Sequence, residues 1–138
     1  MAPASSASRD AKGRKKPVVF DSSFLMAVVE RPTPWREDIS EVVGSYTPVL
    51  LASVKGELCR LAERRDKRGR FAALALSMVE QAGFSLEEDG GGKPDDEIFS
   101  FALREGAAVA TIDSELAKAL RAARVSPVLT LSRGRVSA

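Results

Sequence analysis

The chain has 138 residues, 44% hydrophobic and 29% charged, the size and mix of one globular domain that buries a core without staples. It contains one cysteine and no histidine. That excludes an internal disulfide, a cysteine-rich or His-ligated zinc site, and any triad or acid–base pair built on imidazole, leaving carboxylates, lysine, hydroxyls or a bound ion to carry chemistry.

The net charge of +2 is unevenly spread. Residues 1–16 carry Arg9, Lys12, Arg14, Lys15 and Lys16 against Asp10, and the remainder of the chain is net −2. Met1 to Lys16 is rich in Ala, Ser and basic residues without periodicity. It reads as a disordered tail, either an electrostatic arm for nucleic acid or a solubilising extension, ahead of a domain spanning 17–138. No apolar run approaches the roughly 20 residues that span a bilayer. The N-terminus lacks a signal-peptide core, so a cytoplasmic protein with no membrane partner is expected.

Pro17 to Phe20 is a short buried strand ending in Asp21-Ser22-Ser23, and Phe24 to Val29 is helical. Pro32 and Pro34 break the chain before a second helix, Trp35 to Val43. Thr47 to Ala52 is strand two. Ser53 is expected to cap the next helix, whose apolar face is Val54, Leu58, Leu61 and Ala62, with Glu57 one turn in and Cys59 as a packing residue. Six basic residues between Arg60 and Arg70 surround a helix–helix junction. Arg64, Arg65, Lys67 and Arg68 there, with Lys12, Arg14, Lys15 and Lys16 of the tail, are the candidate nucleic-acid contacts.

Helix continues from Phe71 to Gln81, and Phe84 to Leu86 is strand three. Glu87 to Lys93 reads as a flexible connector; its GGGK is no phosphate-binding loop, because neither Ser nor Thr follows the lysine. Pro94-Asp95-Asp96 opens an amphipathic helix closed by Gly106 as C-cap. Ala107 to Ala110 is strand four, leading through Thr111 to Asp113. Ser114 to Arg124 is the last helix, Val128 to Leu131 strand five, and Ser132 to Ala138 a short basic tail. Strands alternating with helices imply an α/β protein, a parallel sheet covered on both faces in a three-layer sandwich.

In such a sheet, strand C-termini and helix N-termini share the edge where ligands bind. Asp21, Glu57, Asp95 or Asp96, and Asp113 all project there. One aspartate ahead of a helix is an ordinary cap, but four unpaired carboxylates on one edge repel unless a cation compensates. With oxygen ligands only, Mg²⁺ or Mn²⁺ is favoured, and such an ion can activate water for a nuclease reaction.

VVFDSSFLMA, SVKGEL, PDDEIFSFALREGA and VATIDSEL, in this order and spacing, resemble a PIN domain over residues 17–135. Within that family the chain is most similar to an archaeal branch related to small-subunit rRNA-processing factors, with Pro94 where an alanine is usual. The resemblance implies a five-stranded parallel sheet of order 3-2-1-4-5 and a metal-dependent endoribonuclease. Asp21, Glu57, Asp95 and Asp113 match the acidic set that holds Mg²⁺ or Mn²⁺. Ser23 and Thr111 match flanking hydroxyls, Asp96 an adjacent acid, and Glu115 a further acid or an ordinary helix-start glutamate.

RNA is the partner implied, as a ribosomal precursor in RNA processing or as the target of a toxin paired with an antitoxin protein. Dimerisation is common in the family. A phosphoaspartyl enzyme fits less well, because Ser23 stands where a dehalogenase-type phosphatase needs its second acid. A receiver domain would place a lysine where Ser132 and Arg133 follow the last strand. A non-catalytic RNA-binding assembly factor of the same fold is the remaining alternative.

Overall fold

The computed structural model describes residues 15–138; Lys12, Arg14 and the rest of the expected tail before Lys15 lie outside the described residues. The elements are β1 (Lys16–Phe20), α1 (Ser22–Glu30), α2 (Trp35–Val43), β2 (Tyr46–Leu51), α3 (Ala52–Ala62), α4 (Lys67–Gln81), β3 (Ser85–Glu87), α5 (Pro94–Glu105), β4 (Ala108–Ala110), α6 (Ser114–Ala122), β5 (Val128–Ser132) and β6 (Arg135–Ser137).

The sheet runs β3-β2-β1-β4-β5-β6. Its first five strands are parallel in the expected order 3-2-1-4-5. The sixth pairs antiparallel with β5, so Ser132–Ala138 is not the loose tail that its composition suggests. Ser132 ends β5, and the Arg133-Gly134 turn, with φ of 53° and 75°, has the twist that a two-residue hairpin requires.

The connections β1→β2→β3 step one way across the sheet, and β4→β5 the other. Right-handed crossovers therefore place α1–α4 on one face and α5 and α6 on the opposite face. The direction reverses between β1 and β4, and there the strand ends part into a crevice.

Central strand β1 has Val18, Val19 and Phe20 fully buried. Phe20 meets Phe24, Trp35 and Phe84 edge-on, with ring centroids 5.5, 5.4 and 4.9 Å apart. This cluster anchors the residue directly before Asp21.

Four local expectations change. Lys16 belongs to β1 and pairs in register with Tyr46. Ser53 is not a cap: Leu51 holds that position without a side-chain bond, and Asp89 Oδ2 reaches across to accept from the Ser53 amide at 2.9 Å. Nor is the glycine segment loose. Glu97, one turn into α5, accepts from the Gly90 and Gly92 amides at 2.9 and 3.0 Å, and Asp89 accepts from Gly91 at 3.0 Å. Finally, Cys59 is exposed, because Val54 and Leu58 take the buried stripe of α3.

The closure of α5 is as expected: Gly106 is left-handed, φ 63°, and its amide bonds back to Ala102 O. Without a Cβ it takes that conformation without strain.

Candidate acidic cleft at the sheet edge

Asp21 is the pivot. Its amide donates to Ala110 O at 2.9 Å, stitching the ends of β1 and β4 together at the reversal point. The residue is only 4% exposed, so its carboxylate needs partners. Ser23 and Thr111 both donate to its Oδ2 at 2.7 Å. The spacing explains both: Ser23, two residues on, turns back as α1 starts, while Thr111 leaves β4 alongside.

The same hydroxyls bind the neighbouring segment. Ser23 Oγ accepts from the Ile112 amide at 3.2 Å, and Thr111 Oγ1 from the Asp113 amide at 3.0 Å. Asp113 Oδ1 then accepts from the Glu115 and Leu116 amides at 2.9 and 3.1 Å. Asp113 is therefore a genuine N-cap, oriented by α6 as well as standing in the cleft.

On the other side, Glu57 arrives from the middle of α3, and Ser22 Oγ donates to its Oε1 at 2.7 Å. Asp95 arrives from the first turn of α5. Asp95 is exposed overall, but partial desolvation of its carboxyl raises its pKa above the ordinary 3.8, and the charges of Asp21, Asp113, Glu57 and the adjacent Asp96 raise it further. The Asp95 carboxyl thus lies within the field of all three other acids.

Ser22 escaped the sequence reading, although it sits between Asp21 and Ser23. Its signal was the doubled serine at a helix start, where the first hydroxyl reaches another helix and the next turns back to the strand end.

Other candidates stay outside this network. Glu115 is exposed in the first turn of α6. Lys15 and Lys16 stand at the start of β1, roughly 17 Å along the strand from the Asp21 end. Arg64, Arg65, Lys67 and Arg68 are exposed around the α3–α4 turn, about two helical turns past Glu57. Arg64 there is engaged by Asp66, Nη2 to Oδ2 at 2.6 Å.

Among the described residues, no three carboxylates are already gathered into an ion-ready cluster. The donor set itself suits a hard divalent cation: all oxygen, several acids, and, among the described residues, no lysine or arginine paired with any of the four.

A doubly wound sheet with hydroxyl-tethered acids at its reversal point defines a class of α/β protein whose candidate site is made of carboxylates. A family model described as a PIN like domain matches residues 18–135, and the chain belongs to that family. Among solved structures it is similar to that of the PIN domain endonuclease Utp24, with a TM-score of 0.74 at 20% identity, over 87% of this chain and 88% of that one. No curated protein matches the chain.

Proposed function

We propose that this protein is a metal-dependent endoribonuclease that cleaves single-stranded RNA in the processing of ribosomal or other RNA. The observation that carries this reading is the hydroxyl network. Through Ser22, Ser23 and Thr111 it ties Asp21, Glu57 and the Asp113 segment, from three separate elements, to one crevice. Membership of the PIN-like family supports it.

Asp21, Glu57, Asp95 and Asp113 would hold Mg²⁺ or Mn²⁺. Such an ion, when bound, lowers the pKa of water and neutralises charge on a phosphodiester. The chain's own contribution is preorganisation. Ser23 and Thr111 hold Asp21 in one orientation, Ser22 holds Glu57, and the α6 amides hold Asp113, so little side-chain entropy remains to be lost when substrate arrives. Asp96, adjacent in the helix, points about 100° away from Asp95 and is assigned a supporting role.

The test is cleavage of a labelled single-stranded RNA with Mg²⁺ or Mn²⁺ and with excess chelator. Cleavage should need the ion and vanish in chelator. Full cleavage in chelator by protein free of contaminating nuclease would refute the proposal.

A further inference from the structure

Beside Asp113 a groove of about 320 Å³ opens against α6, its lining continuous from Thr111, Ile112 and Asp113 to Glu115, Lys118 and Arg121. That volume is at the small end of ligand sites. Lys118 and Arg121 are three residues apart on α6, which makes their side chains surface neighbours, about 5–6 Å apart at Cβ. Both are exposed, and among the described residues neither forms an ion pair. Even Glu115, one turn before Lys118, leaves it unpaired.

Two adjacent unpaired cations opening onto a groove shared with an acidic site suit a polyanion better than they suit a helix surface. The arginine fork and the lysine point charge can grip one phosphate between them. Glu115 repels that phosphate from the Asp113 end, and Ile112, 44% exposed, offers an apolar contact for a sugar or base.

Building on the nuclease reading, we propose that this groove is a phosphate subsite. Lys118 and Arg121 hold the phosphodiester next to the scissile one and so direct the RNA strand out of the cleft along α6.

The experiment is anisotropy of a fluorescein-labelled single-stranded RNA oligonucleotide, titrated with the full chain in chelator across a salt series. The double variant Lys118→Gln/Arg121→Gln is compared with the charge-matched control Arg31→Gln/Arg36→Gln, both exposed and outside the basic cluster of the α3–α4 turn. The subsite variant should bind about tenfold more weakly at low salt. Its slope of log affinity against log salt should fall by about 0.7, the share of one phosphate contact on a single strand. Its cleavage should slow through KM rather than kcat, and Lys118→Arg/Arg121→Lys should restore most of the affinity. Thermal melting checks the fold, with the single variants used if the double variant melts early.

Unchanged affinity and slope in a protein that still binds and cleaves RNA would overturn the subsite alone. An equal loss in the control would also overturn it, by reducing the effect to general charge. Wild-type protein that neither binds nor cleaves RNA would overturn the nuclease reading as well.

Discussion

Asp21 and Asp95 share the cleft but are held in opposite ways. Asp21 is buried, with two hydroxyls donating to one oxygen. Asp95 lies more open, and burial followed by four neighbouring charges raises its pKa. A carboxyl with a raised folded-state pKa costs stability as pH climbs past 3.8, its unfolded value, because the fold disfavours its charge. In chelator, Asp95→Asn should therefore raise the melting temperature at neutral pH and change it little well below pH 3.8. With metal present, the same change should cut cleavage by about 100-fold or more, and Asp96→Asn by about tenfold or less. An inactive Asp96→Asn beside an active Asp95→Asn would reverse the assignment.

At the level of elements, helix starts are secured both by their own caps and, in one case, from a distance. Asp66 caps α4 locally through the Gly69 amide at 3.1 Å. The start of α3 instead takes its acceptor from Asp89, 36 residues away. The turn between α3 and α4 is tight enough that a Cβ on Gly69 would run into the Arg64 backbone carbonyl, whereas one on Gly56 would meet nothing nearer than Arg60 Nη1 at 3.6 Å. Gly69→Ala should therefore destabilise the fold by about 1–3 kcal/mol, and Gly56→Ala, inside α3, should stabilise it by about 0.5–1 kcal/mol. Urea unfolding of the two variants measures both signs, and a neutral Gly69→Ala would show that the turn relaxes.

Across the whole molecule, the C-terminal hairpin is fastened to α2 by Asp38. Its side chain is 3% exposed. It accepts from Arg135 Nε at 2.9 Å and Nη2 at 2.6 Å, and from the Val136 amide at 2.9 Å. The bonds from Arg135, then that from Val136, hold its pKa down from 3.8 to about 2. A depressed carboxyl pKa stabilises the fold above the unfolded value, and that contribution is lost as pH falls through the folded one. Acid unfolding of the native chain should therefore steepen between pH 3.8 and about 2, and Asp38→Asn should flatten that region while lowering stability at neutral pH. Acid titration followed by circular dichroism checks it. An unchanged acid limb in Asp38→Asn would mean that the clasp contributes nothing.

Apolar runs of four to six residues bounded by Pro, Gly and Asp, and apolar faces of helical period, are local properties. From them alone the five parallel strands, the six helices and the left-handed stop at Gly106 could be read, and with them the expectation that Asp21, Glu57, Asp95 or Asp96, and Asp113 lie toward one sheet edge. What tertiary structure decided were the pairings between segments far apart in the chain: Ser22 with Glu57, Thr111 with Asp21, Asp89 with Ser53, Asp38 with Arg135. A polar side chain's partner depends on which groups the fold brings beside it, and no periodicity records that. The glycine loop and the last hairpin were misread for the same reason. Their composition is that of loose chain, and they are ordered by carboxylates contributed by other elements, Glu97 and Asp38, whose roles exist only once those elements have packed.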